Sequence, residues 1–139
     1  MGQDNVDLGA LDTRAGANAG FWLQLRHPGT NAPIAARLKL LGMDSQRYRE
    51  KSNEMMRARQ EELSRGAAQR LSPEEIERRN VELLVAVTVS WERLSLDGAP
   101  YEYADGKARE LYARWPWIYE QANQAVVDRG NFLPGSASS

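Results

Sequence analysis

The 139-residue sequence predicts a mainly helical α+β domain, in which an N-terminal β-hairpin packs on a bundle of three to four helices. Two observations predict this fold class. Apolar residues recur at helical spacing in two long segments, and they alternate with more polar residues in two short segments near the N-terminus. The length suits one domain with its own core. We therefore assign residues 21–133 to a single α+β domain, residues 1–20 to a flexible tail and residues 134–139 to a disordered tail.

A β-hairpin is predicted for residues 21–41. Residues 21–26 and 34–41 each alternate between apolar and more polar side chains, as half-buried strands do. Pro28 and Gly29 form a turn dipeptide between the two segments. Intrinsic propensity would allow a helix nearly as well over residues 34–41, so strand is favoured there with helix as the open alternative.

A helix over residues 72–94 is expected to lie at the centre of the core. Ser72 at the N-cap, Pro73 after it and Glu75 three residues later form a capping box, which marks where the helix begins. A strand is the alternative over residues 85–91, where valine alternates with smaller residues, but the capped start favours one continuous helix. The core residues predicted from this helix are Leu84, Val87 and Trp91.

A more polar helix is predicted for residues 45–69, because arginine, glutamate, glutamine, methionine and alanine dominate this segment. Asp44 and Ser45 supply side-chain oxygens for its start. Its apolar residues are sparse, so it should bury only a thin seam. Met55 and Met56 either pack in that seam or form an adaptable contact surface for a partner, since thioether side chains repack easily.

The third predicted helix covers residues 105–129 and begins at Asp105, a good N-cap residue. Its apolar residues recur at spacings of three and four, and they include Leu111 and Ile118, which we place in the core. Pro116 should kink the helix or split it and open the second piece, because proline removes a backbone hydrogen bond and clashes with the preceding turn.

Three aromatic residues surround this break, namely Trp115, Trp117 and Tyr119. A broken helix exposes rings that can enter a groove on another protein, so we treat the three residues as candidate partner-binding residues. Packing in the core of this chain is the competing interpretation. In the loop before this helix, Tyr101 and Tyr103 are expected to anchor the chain.

Composition argues against several functional classes. The sequence has no cysteine and one histidine, which argues against disulfides, zinc sites and most nucleophile–base pairs. The net charge of −1 is unlike that of a protein that neutralises nucleic-acid phosphates. No apolar stretch approaches the roughly 18 residues that cross a bilayer. We expect an intracellular protein without metal, cofactor, nucleic-acid or membrane partner.

No residue pattern predicts a catalytic centre. His27 is the only candidate proton-transfer histidine, and its position beside Pro28 and Gly29 is typical of a turn residue. Glu74 and Glu75, with Glu77 nearby, lie in or beside the first turn of a predicted helix, where carboxylates complement the helix dipole. Both features therefore have structural interpretations.

Several short motifs follow one another between residues 21 and 133. In the N-terminal half they are the turn His27-Pro28-Gly29-Thr30 between two strands, then Gly42, Asp44-Ser45 and Tyr48, and a capped helix ending in Trp91. In the C-terminal half they are Tyr112, Pro116, Trp117, Ile118, Gln121 and the closing Asp128-Arg129-Gly130-Asn131-Phe132-Leu133. In this order they resemble the tail assembly chaperones of long-tailed, siphovirus-like bacteriophages.

The resemblance implies a protein without enzymatic activity that is made in the cytoplasm of the infected host cell. It would bind the tape measure protein and keep it soluble while tail tube subunits polymerise around it. The tail tube protein and a second copy of this chain are further candidate partners. The alternative is a permanent structural subunit of the phage particle, in the tail or the head–tail connector.

Overall fold

The structure is a computed structural model that describes residues 5–135, so residues 1–4 and 136–139 at the ends of the two predicted tails lie outside it. Within the described residues the fold is mixed α/β, with five α-helices and a small antiparallel sheet. The helices are α1 (Thr13–Ala19), α2 (Gln46–Ser64), α3 (Pro73–Val87), α4 (Lys107–Arg114) and α5 (Pro116–Val127). The strands are β1 (Phe21–Arg26), β2 (Pro33–Leu40), β3 (Thr88–Glu92), β4 (Ser95–Leu96) and β5 (Ala99–Pro100). Short 3-10 helices cover Leu8–Leu11 and Arg129–Phe132.

The main sheet has the strand order β1-β2-β3, and both neighbouring pairs are antiparallel. Leu23 lies opposite Leu38, and Leu38 lies opposite Trp91. This face of the sheet is turned inward, because Leu38 and Trp91 are buried, and α5 contacts both β1 and β2. The segment for which helix and strand were both open is therefore a strand.

The third strand, β3, is where the prediction of one helix over residues 72–94 is wrong. The helix begins as predicted, with the Ser72–Glu75 capping box formed, but α3 ends at Val87 and the chain continues directly as β3. Thr88 stabilises this transition, because its hydroxyl donates to the Leu84 carbonyl at 2.7 Å. The alternating apolar residues of β3 then pair with the open edge of β2, and this sheet pairing outweighs continued helix formation.

The N-terminal segment differs from the flexible tail predicted for residues 1–20. Helix α1 forms within it, capped by the Asp12 side chain, and Ala17 is buried. At Gly16 the helix lies so close to the Phe132 carbonyl that a β-carbon there would clash with it. The small residues that favour a disordered tail by composition instead allow close packing against the C-terminal end of the chain.

Two helix boundaries also differ from prediction. Helix α2 ends at Ser64 rather than at residue 69, and Gly66 follows with a φ of 93°, a left-handed conformation that glycine adopts at little cost. Helix α4 begins at Lys107 after a left-handed Gly106, so Asp105 is not its N-cap. The predicted split at Pro116 is present, since α4 ends at Arg114 and Pro116 is the first residue of α5.

The core lies between the inner face of the sheet, the C-terminal end of α3, and helices α4 and α5. Its large, fully buried side chains come from several of these elements. The residues predicted to form the core are all buried: Leu84, Val87, Trp91, Leu111 and Ile118.

Asp44, in the connection between β2 and α2, joins the two ends of the chain. The Arg129 guanidinium donates to both Asp44 carboxylate oxygens, at 2.6 and 2.9 Å, and the Thr13 hydroxyl donates at 2.7 Å. These hydrogen bonds, with that from Arg129 the stronger, lower the pKa of Asp44 to about 2. The connection is closely packed beside Gly42, where a β-carbon would lie 3.0 Å from the Phe132 ring.

Candidate functional site

The break at Pro116 places the three candidate aromatic residues on two different surfaces. Trp115 and Trp117 face the β4–β5 hairpin, whereas Tyr119 faces α3 together with Pro116. We call the first surface the aromatic pocket; it encloses about 190 Å³. It is lined by Leu94, Ser95, Leu96, Asp97, Tyr101, Leu111, Trp115, Trp117 and Ile118.

The β4–β5 hairpin forms one wall of the aromatic pocket. Asp97 and Gly98 both adopt positive φ angles, of 52° and 85°, as the two central residues of a tight hairpin turn do. The hairpin is closed by a hydrogen bond of 2.8 Å from the Tyr101 backbone N–H to the Leu94 carbonyl. This turn brings Leu96 close to the helix break.

A chain of aromatic rings holds the floor of the pocket. Trp91 stacks on Tyr101 with ring centroids 5.8 Å apart, and its indole N–H donates to the Tyr101 carbonyl at 2.7 Å. Tyr101 in turn meets Trp115 edge to face at 5.8 Å. Trp115 is only half-buried, but its contact with Tyr101 connects it to the core and holds its ring in place.

Trp117 is the less constrained of the two tryptophans. It is half-buried, and within residues 5–135 no ring stacking or cation–π contact involves it. Trp115, by contrast, also carries the Arg114 guanidinium 4.6 Å above its ring. Both tryptophans pack against the core, and Trp117 has no aromatic or cationic partner at its ring among these residues, so its ring is the candidate contact for a partner.

Three charged side chains beside the pocket form ion pairs with one another, whereas Asp97 in the hairpin turn is exposed and forms no ion pair among residues 5–135. Glu110 accepts a hydrogen bond from the Tyr101 hydroxyl at 3.0 Å and forms ion pairs with Lys107 at 3.9 Å and Arg114 at 3.8 Å. Burial and this contact with Glu110 raise the pKa of Tyr101 above its ordinary value. Apart from Ser95 and Asp97, the lining of the pocket consists of apolar and aromatic side chains, so the pocket presents mainly an apolar surface to a partner.

The second surface is a groove between α3 and the α4–α5 junction, which we call the α3–α5 groove. It measures about 360 Å³, and Tyr119 contributes to its floor with Val81, Tyr112 and Pro116. The Tyr112 and Tyr119 rings meet edge to face at 6.1 Å. Burial raises the pKa of Tyr119, and the nearby charge of Glu77 raises it further.

Met55 and Met56 lie elsewhere, on α2, and line neither of these surfaces. Helix α2 packs along α3, and none of its residues is buried, as its sparse apolar residues predict. Met55 is half-buried, whereas Met56 is 58% exposed. The structure therefore separates the methionines from the aromatic residues, and a partner would have to span two faces to contact both.

The candidates for proton transfer have structural roles. The His27 imidazole Nδ1 accepts hydrogen bonds from the backbone N–H groups of Gly29 at 2.9 Å and Thr30 at 3.2 Å, which makes His27 a turn residue. Glu75 completes the capping box by accepting from the Ser72 N–H at 3.1 Å. Among residues 5–135 there is no cluster of three side chains suited to a metal ion. In the same part of the chain no helix is both long and apolar enough to cross a membrane.

Sequence reasoning missed most of the pocket wall. Leu94 and Leu96 line the aromatic pocket together with the two tryptophans, but in this loop only Tyr101 and Tyr103 were expected to act as anchors. The signal was the Asp97-Gly98 dipeptide, which is typical of a two-residue hairpin. A hairpin predicted from this dipeptide, in place of a loop, would have placed residues 94–101 near the break at Pro116.

Comparisons of the chain with protein-family models, curated proteins and solved structures found no match. The functional argument therefore depends on the residues and their geometry.

Proposed function

We propose that the protein is a transient binding protein, not an enzyme, and that it acts as a tail assembly chaperone of a long-tailed bacteriophage. In this proposal it binds the tape measure protein in the host cytoplasm and keeps it soluble during tail tube assembly. The observation that carries the proposal is the aromatic pocket, which adds an apolar binding surface to the resemblance over residues 21–133.

The dimensions of the pocket favour a protein segment over a small molecule. Small-molecule sites typically measure about 300–1,000 Å³, whereas this pocket measures about 190 Å³. That volume suits one large apolar side chain from a partner, the kind of anchor on which many protein interfaces depend. Trp117 would cover such a side chain at the rim.

An interface of this kind suits a chaperone because a chaperone must release its client. A single pocket with a half-buried tryptophan buries far less area than the ~2,000 Å² or more of permanent interfaces. Met56 offers a second, exposed apolar contact that can adapt to different segments of the client. The proposal therefore assigns client contacts to both faces, with the stronger one at the aromatic pocket.

The packing around Asp44 also supports the proposal. The motif residues Gly42 and Asp44, from the N-terminal half, contact Phe132 and Arg129 from the closing motif. Motif residues from the two halves of the sequence therefore contact each other in the folded chain. We expect such contacts if the motifs serve to stabilise the fold.

Co-expression with the tape measure protein tests the proposal. The parent chain should keep that long client in the soluble fraction, and Trp117→Ala should reduce the soluble amount, with an affinity weakened by about tenfold or more as for an interface hot spot. Trp22→Ala is the matched control, because Trp22 is also half-buried but lies on the outer face of the sheet beside Arg37.

Three results would contradict the proposal. The first is a client that stays insoluble with the parent chain present. The second is a Trp117→Ala variant that holds the client as well as the parent, and the third is a Trp22→Ala variant that weakens capture as much as Trp117→Ala. Circular dichroism of both variants separates lost binding from lost folding. A further variant, Met55→Ala with Met56→Ala, should weaken capture less than Trp117→Ala.

A further inference from the structure

The α3–α5 groove has the features of a second docking surface, distinct from the aromatic pocket. Its floor is formed by Val81, Tyr112, Pro116 and Tyr119. Pro116 is exposed, Val81 and Tyr119 are half-buried, and Tyr112 is held in place by a 2.7 Å hydrogen bond between its hydroxyl and Thr88. The floor is therefore an apolar surface on a firmly packed support.

The rim of the groove is acidic. Glu74 and Glu77 project from α3 beside the floor, both are exposed, and neither forms an ion pair among residues 5–135. A third carboxylate in the groove, that of Glu82, is already neutralised by Arg109, whose guanidinium donates to both of its oxygens at 2.6 and 2.7 Å.

Arg78 is the remaining cation of the groove; it is exposed and, like Glu74 and Glu77, forms no ion pair among residues 5–135. Because Glu82 and Arg109 neutralise each other, two unpaired carboxylates stand beside one unpaired guanidinium, and the rim keeps an excess of one negative charge. The groove thus combines an apolar floor with an excess of negative charge along its α3 side.

We propose that the α3–α5 groove binds an amphipathic helix that carries lysine or arginine next to its apolar side chains. The apolar residues of the helix pack on Val81, Pro116 and Tyr119, and its cations lie against Glu74 and Glu77. Recognition of this kind, in which a helix places one face in a groove, is common among binding proteins. The proposal goes beyond client capture in the aromatic pocket and does not depend on it.

The test uses two synthetic amphipathic helices of the same apolar pattern, one built from leucine, alanine and lysine, the other from leucine, alanine and glutamate. Titration of the full-length protein, followed by fluorescence anisotropy of the labelled peptide, should give saturable binding of the lysine peptide only. In NMR spectra the amide shifts should be largest near Val81, Ala113 and Tyr119, which lie in the groove.

A charge-matched pair of variants locates the effect. Glu74→Gln with Glu77→Gln should raise the Kd for the lysine peptide by about threefold to tenfold, as expected for two exposed ion pairs. Glu61→Gln with Glu102→Gln is the control, because both residues are exposed, lie outside the groove and have no ion pair among the described residues. The control should change the Kd less than about twofold.

The salt dependence provides a second measurement that does not rely on equal folding of the variants. Added salt should weaken binding of the lysine peptide to the parent, and this effect should shrink when Glu74 and Glu77 are replaced. The proposal is overturned if the lysine peptide does not bind or if both peptides bind equally. It is also overturned if the two double variants have equal effects, or if the amide shifts lie away from the groove. Because the peptides are synthetic, none of these outcomes depends on the proposed client.

Discussion

Two regions of the molecule are built on different principles. The body comprises all described residues outside 46–83, including the sheet, α1, α4, α5 and the C-terminal end of α3, and it contains every buried side chain among the described residues. The arm, residues 46–83, comprises α2 and most of α3 and contains none of them. The body is therefore stabilised mainly by burial of apolar surface, whereas the arm depends on local helix formation and surface contacts.

The polar contacts that hold the arm are mostly exposed ion pairs. Glu62 pairs with Arg59 at 3.2 Å and with Arg79 at 3.3 Å, and Glu82 pairs with Arg109 of the body at 2.6 Å. Exposed ion pairs typically contribute only ~0.2–1 kcal/mol each. The arm should therefore open more readily than the body, which suits a surface that adapts to a partner.

The largest expected difference between the two regions is in the cost of truncation. Leu84→Ala or Trp91→Ala should lower the free energy of unfolding by about 2–5 kcal/mol, because both side chains are buried in the body. Met56→Ala, in the arm, should change it by less than about 0.5 kcal/mol. Chemical denaturation measures all three, and similar losses for Leu84 and Met56 would remove the distinction.

A smaller effect is expected at Asp44, where the chain leaves the body for the arm. Asp44→Asn should destabilise the protein by about 1 kcal/mol at neutral pH, after allowance for the exposure of Arg129 to solvent. The pKa of Asp44 is lowered from 3.8 to about 2, so its contribution is present above pH 3.8 and is lost as the pH falls through about 2.

Denaturation of parent and variant across this range of pH measures that contribution. The difference between them should be constant at neutral pH and should decrease as the Asp44 carboxylate is protonated. Glu61→Gln, which changes an exposed and unpaired glutamate, is the control. A difference that persists unchanged at pH 2 would mean that the Asp44–Arg129 pair is not its source.

The most local effect is expected at the start of α3. Ser72→Ala removes the capping box and should cost about 0.5–2 kcal/mol of helix stability. Because we expect the arm to open before the body, hydrogen exchange should accelerate at residues 73–83, while exchange in β1 and β2 stays unchanged. Equal acceleration in the strands would show that arm and body unfold as one unit.

The difference between local and long-range contacts also explains how much of the fold could be predicted from the sequence. Features set by neighbouring residues were predicted well: the capping box at Ser72, the hairpin turn at Pro28-Gly29 and the helix break at Pro116 are all present. Each depends on local chemistry that a few residues determine. The arm, which consists mostly of local structure, was therefore placed nearly correctly.

Features that depend on distant partners were missed. Strand β3 forms because β2, about fifty residues earlier, presents an open edge to residues 88–92. Helix α1 forms where Gly16 can approach the backbone of Phe132 at the other end of the chain. The aromatic pocket likewise needs the β4–β5 hairpin opposite Trp117, so only its aromatic half was predicted.

The central claim is that the protein binds its client only during assembly and then leaves. Quantitative mass spectrometry of purified particles of the phage that the proposal implies tests this claim most directly. A transient chaperone should be abundant in the infected cell and essentially absent from mature virions, where the tail tube and tape measure proteins serve as internal standards. A fixed, stoichiometric number of copies per virion would contradict the chaperone assignment and identify the protein as a structural subunit.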